Sequence, residues 1–155
     1  MKHGPNPPGD AIDRYKKALS AAVISSFAEM AFIDVAECRE TEFEFRQIES
    51  IDIAEPFRGK ILVKLSFDVK RNIAEYVHGT DWENLRPGKI DDCLLELLNV
   101  MGGTFLFNLY GESEKYKILF PEMIFDETEL PDLKPQLRLY FNAEEEYFSV
   151  ELFME

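Results

Sequence analysis

A chain of 155 residues that is 46% hydrophobic and carries thirteen Phe has enough apolar side chains for one sizeable core, and a single domain is expected. Its formal net charge of -13 and pI near 4.6 leave no broad basic surface to displace counterions from phosphates, which argues against nucleic acid or an anionic membrane as partner. Two cysteines, Cys38 and Cys93, are too few for a disulfide framework and fit a reducing, cytoplasmic setting.

Residues 1–9, MKHGPNPPG, contain Pro and Gly but no apolar segment, so they read as a flexible leader and not a signal peptide, with the domain over 10–155. Asp10 is placed to N-cap a first helix running to about Val35, in which Ile12, Tyr15, Leu19, Val23, Phe27 and Met30 recur near the helical period. Residues 41–53 switch to strand-like alternation, with Phe43 and Phe45 on one side and Glu42, Glu44 and Arg46 on the other. The phase blurs near Ile48, where a bulge is expected.

Pro56 and Gly59 close a hairpin turn, and 60–68 follows as a strand with Ile61, Val63, Leu65 and Phe67 on one face. Residues 68–78 read as a short helix stopped by Gly79, and Trp82 in the next loop is expected to lie over the core. A long apolar helix covers 90–109 and ends at Gly111; no run reaches the eighteen apolar residues of a membrane span. Tyr116, Ile118 and Phe120 alternate as a strand before Pro121. A last hairpin sets Leu137, Leu139 and Phe141 against Phe148, Val150, Leu152 and Met154 across a solvated acidic turn at Glu144, Glu145 and Glu146. Antiparallel strand pairs with a few helices predict an α+β fold, an antiparallel β-sheet with helices packed on one face.

The long helix carries the one pattern that invites a chemical reading. Asp92, Glu96, Asn99 and Gly103 are spaced by four, three and four residues, which stacks them along a single edge of an otherwise apolar rod. A polar edge for solvent is the ordinary reading of such a stripe. Against it, Asn costs roughly half a kcal/mol and Gly about 1 kcal/mol relative to Ala inside a helix, and a wetted edge has no need of either. A missing side chain at Gly103 lets another molecule approach the helix axis, so the stripe reads as a docking edge. His3 and His78 are the only histidines, and neither a metal-ligand spacing nor a nucleophile–His pair can be drawn from them.

Glu96, Asn99 and Gly103, in the segment ELLNVMGG, form an E-x-x-N-x-x-x-G pattern that resembles the active helix of the CheC/CheX/FliY phosphatases of bacterial chemotaxis. Upstream, FRGKILVKLSFDVKRNIAEYVHG is similar to that family's hairpin, strand and short helix ending in Gly, and the resemblance covers nearly everything from residue 11 on. Laying AAVISSFAEMAF over LLELLNVMGGTF sets Val23 opposite Glu96 and Ser26 opposite Asn99, so the first helix lacks an acid–amide pair and the chain is more similar to the single-site CheX branch.

The resemblance implies a cytoplasmic homodimer that hydrolyses the aspartyl phosphate of a phosphorylated CheY-type response regulator. It implies Glu96 and Asn99 as the catalytic pair, with Asn99 orienting the attacking water and Glu96 pairing with the regulator's lysine. No metal or cofactor of its own is expected, Mg²⁺ belonging to the regulator. Asp92, Leu95 and Gly103 are the expected partner contacts; Asp92 extends the docking edge or simply favours the positive end of its helix, and Leu95 stands where a small residue is expected. That departure gives the alternative reading, a binding or adaptor module of a two-component system without catalysis.

Overall fold

The computed structural model describes residues 9–155, with side chains from residue 11 on. Helix α1 spans Gly9–Ser26, so Gly9 already belongs to the folded part, Asp10 lies inside the helix, and the rest of the expected leader falls outside the described residues. The Ser26 hydroxyl donates back to the Ala22 carbonyl at 2.6 Å, and the helix then widens into a single π turn over Phe27–Ala31. Phe32, in the left-handed conformation at φ 60°, closes it by donating its N–H to the Phe27 carbonyl. The helix therefore stops short of Val35, which instead opens an edge strand, β1, over Val35–Cys38.

Strand β2 covers Phe45–Glu55 and pairs antiparallel with β3, Gly59–Ser66, around the expected turn. The bulge is present but sits between Phe45 and Gln47, earlier than expected, and it reverses the facing of everything after it. Phe45 ends on the outer face beneath the Lys64 ammonium, while Ile51 and Ile53 join the core on the helix side. Ser66 ends β3 because its side chain accepts from the Val69 N–H as an N-cap, which makes Phe67 the first residue of helix α2, Phe67–His78, and not the last of the strand. Gly79 closes α2 at φ 63°, and Trp82 packs on the core edge-to-face with Phe67, ring centroids 5.4 Å apart.

Helix α3 spans Pro87–Tyr110 and is followed by two short strands, β4 (Lys117–Ile118) and β5 (Glu122–Ile124), both paired with β2. The final hairpin, β6 (Leu137–Ala143) and β7 (Glu146–Met154), turns through Glu144 and Glu145, both at positive φ. The sheet runs β1-β6-β7-β3-β2-β4, with β5 also on β2 and every pair antiparallel. Alternate residues of β3, β6 and β7 point into one core with α1, α2 and α3, which gives the expected α+β layer. On the other face Glu151 is buried between Lys64 and Arg138, and Leu62, Ile124 and Phe153 form a small separate cluster.

By length and composition α3 is apolar enough to cross a membrane. Its apolar residues are used here: Leu94, Leu98, Phe105 and Leu106 are fully buried in the core shared with α1 and the sheet. Asn108 fastens the two long helices, its amide donating to the Ala18 carbonyl at 3.1 Å. The overlay of the two helices does not carry over to their surroundings. Val23 and Ser26 are buried, and Phe32 is exposed where its counterpart Phe105 is sealed in the core.

Candidate functional site

Pro87 supplies a preset first turn to α3, and Gly111, at φ 57°, ends it. Between them the helix buries Ile90, Cys93, Leu94, Leu97, Leu98 and Met101, which fixes its rotation about its axis. That rotation turns the Asp92–Glu96–Asn99 edge outward. Glu96 is exposed, Asn99 half-buried, and the Asn99 amide donates to a Glu96 carboxylate oxygen at 3.4 Å. This is a long, weak contact, so both side chains keep most of their hydrogen-bonding capacity for another molecule. Among the described residues neither Asp92 nor Glu96 takes part in an ion pair.

The acid and the amide open into a shallow groove lined by Asp92, Leu95, Glu96, Asn99, Phe120 and Pro121. Four of the five residues singled out from the sequence therefore share one depression. Gly103, one turn beyond Asn99, continues the same edge outside it, and a Cβ built there meets nothing within 4 Å. Its neighbour Gly102 is different: it is buried, and a Cβ would touch Ile51 at 3.5 Å. That distance is an ordinary van der Waals contact, so packing within this chain calls for a bare backbone at neither Gly102 nor Gly103. Asp92 lies beyond the first turn of the helix, which has no acidic residue, and it lines the groove.

Phe120 is the part of the groove that sequence reasoning missed. The strand expected through it is only two residues long and ends at Ile118, and Phe120 is 92% exposed. The signal was present: Pro121 has no N–H for the ladder, so pairing breaks just where Phe120 stands.

Beneath the helix, Glu49 on β2 is 2% exposed, with one carboxylate oxygen lacking a hydrogen-bond partner. Burial pushes its pKa well above the usual carboxylate range, the Asp91 carboxylate adds to the rise, and Lys70 opposes it. Burial also pushes the Cys93 thiol up to about 11, helped by Glu49, Asp91 and Asp92, which leaves it a poor nucleophile at neutral pH. Among the described residues no group of three His, Cys, Asp or Glu side chains is placed to hold a metal ion.

No family model matches the sequence, and no curated protein matches it. Solved structures do. A CheX chemotaxis protein from Desulfovibrio desulfuricans superimposes with a TM-score of 0.74 over 91% of this chain and 99% of its own, at 14% identity. A CheX–CheY complex with beryllofluoride and Mg²⁺ from Borrelia burgdorferi matches at 0.69 over 91% and 97%, at 12% identity. The fold is that of the CheX, CheC and FliY proteins. FliY from Thermotoga maritima extends the match to 99% of this chain and 92% of its own, with a TM-score of 0.62 and 17% identity. At such identities the likeness to CheX is one of shape, carried by the apolar pattern of sheet and helices.

Proposed function

We propose that this protein is a phosphatase for the aspartyl phosphate of a CheY-type response regulator, with Asn99 and Glu96 as its working pair. The observation that carries this reading is the emergence of an acid and an amide side by side at a surface groove, at the centre of the longest helix of a CheX-type fold. Hydrolysis of an acyl phosphate passes through a loose transition state, so placing a water in line with the leaving carboxylate and balancing charge account for most of the catalysis. In this reading Asn99 reaches into the regulator's site and its carbonyl oxygen accepts from the attacking water. A neutral amide does this without the repulsion that a second anion feels beside a phosphoryl group. Phosphorus gains the water oxygen, the acyl P–O bond breaks, and inorganic phosphate leaves a free carboxylate on the regulator.

Glu96, one turn earlier, forms a charge-assisted pair with the regulator's lysine and sets the register of docking. Asp92 and Gly103 extend that contact along the helix. Mg²⁺ belongs to the regulator, where it balances charge on the phosphoryl oxygens; a CheX–CheY complex that contains Mg²⁺ supports this assignment. The protein acts in the cytoplasm as a homodimer. Leu95, half-buried at the groove beside the acid, favours a second reading, a module that binds the regulator without shortening its phosphate lifetime.

Steady-state dephosphorylation of a phosphorylated receiver domain separates the two readings. Asn99→Ala should lower kcat by about a hundredfold or more while regulator binding survives, and Glu96→Ala should weaken binding as well. Parental activity in Asn99→Ala removes the catalytic role; binding by the parent with no shortening of the phosphate lifetime selects the adaptor.

A further inference from the structure

We propose that Phe120, beside Leu95 and Pro121, is the anchor that holds the phosphorylated partner, which must therefore present an apolar side chain next to its phosphorylated aspartate. This inference rests on the phosphatase reading above and names a specificity-determining contact that the acid–amide pair does not supply. At 92% exposure Phe120 makes almost no use of its ring within the chain, and it stands in the same groove as Glu96 and Asn99. Large aromatic side chains at the centre of a contact patch are where binding energy concentrates.

The backbone around Phe120 is fixed. On one side the Leu119 N–H donates to the Asp52 carbonyl at 2.9 Å; on the other, Glu122 pairs with Ser50. Phe120 and Pro121 thus form a two-residue corner clamped to β2 at both ends, and Pro121 further restricts the backbone of the residue before it. Little backbone freedom remains to be lost when a partner covers the ring, which lowers the cost of that contact.

Charge points the same way. The charged side chains lining the groove are Asp92 and Glu96, both acidic, and the chain carries -13 overall. These acids can pair only with cationic groups of the partner, and Leu95, Phe120 and Pro121 offer an uncharged contact beside them. Leu95 then has a role: its side chain widens the apolar lip on the helix side of Phe120 instead of obstructing the partner.

Phe125 provides the control, because it is 86% exposed at the far end of β5 and is not among the residues lining the groove. KM and kcat are measured for the parent, Phe120→Ala, Phe120→Leu and Phe125→Ala, with the CheY-type receiver domain of the source organism that the parent dephosphorylates fastest as substrate. Binding of the beryllofluoride-loaded receiver is measured in parallel. Phe120→Ala should raise KM on the order of tenfold or more with kcat within about twofold, Phe120→Leu should recover most of the loss, and Phe125→Ala should match the parent. The anchor is overturned if Phe120→Ala keeps the parental KM, loses activity in kcat alone, or is matched by Phe125→Ala. A parent that accelerates loss of phosphate from none of the receivers overturns the phosphatase reading itself, and the anchor with it.

Discussion

Gly103 isolates what a single residue contributes to docking. A glycine in the interior of a helix costs about 1 kcal/mol relative to Ala, and the space above this one is empty in the isolated chain. Gly103→Ala should therefore stabilise the protein by about 0.5–1 kcal/mol in denaturant unfolding, yet weaken binding of the beryllofluoride-loaded receiver. A variant that is more stable and binds as before would mean that the bare backbone serves no partner. Glu96 was legible as a partner of Asn99 because a spacing of three on a helix leaves no other arrangement than neighbours on one side. Spacing does not fix whether the pair faces water, which depends on which residues of the helix the sheet and α1 claim.

Strand β2 contributes a second, separable effect through Glu49. This carboxyl is packed between the sheet and the helices, faced by Asp91 and the Cys93 thiol of α3 and by Lys70 of α2. Its native pKa is raised above the ordinary value of 4.5, so the native state keeps the proton at pH values where the unfolded chain has released it. The stability this group contributes is complete below about pH 4.5 and is lost as pH rises from there through the native pKa. Glu49→Gln, neutral at every pH, should raise the Tm at pH 7 and above, with the gain shrinking toward pH 4.5 and below. A Tm difference that does not change between pH 4.5 and pH 8 would show that Glu49 does not titrate differently in the two states.

Elements whose core face keeps one period were readable from sequence: β3, β6 and β7 each present alternate apolar residues to the core, and α2 carries its closing Gly79, whereas its Ser66 cap was missed and Phe67 fell to the strand. The misreadings have local causes. The bulge between Phe45 and Gln47 breaks the alternation, so Phe45 turns to the outer face while Gln47, Glu49, Ile51 and Ile53 share the buried one. β1 and β5, four and three residues long, are too short to show a period, and β1 follows directly on the apolar run of the first helix. The alternation of Tyr116 and Ile118 continues through Phe120 in the sequence, although the strand ends at Ile118 and the following proline cannot extend the pairing.

On the scale of the whole molecule, 12–17% identity to CheX and FliY structures is enough to keep one fold, because the requirement is a pattern of buried positions and not particular residues. The surface is under no such constraint, which is why the acid–amide edge and the Phe120 corner are the places where this chain's own function must be read. The sheet, α1 and α2 hold α3 in one rotational setting, and that setting brings Asn99 and Glu96 to the surface together. The most direct measurement is the lifetime of the phosphoryl group on a CheY-type receiver domain mixed with catalytic amounts of the protein. The parent should shorten it over many turnovers, and Asn99→Ala, at a concentration that saturates the receiver, should leave it at the spontaneous value. An unchanged lifetime with the parent, or an equal shortening by Asn99→Ala, would contradict the account.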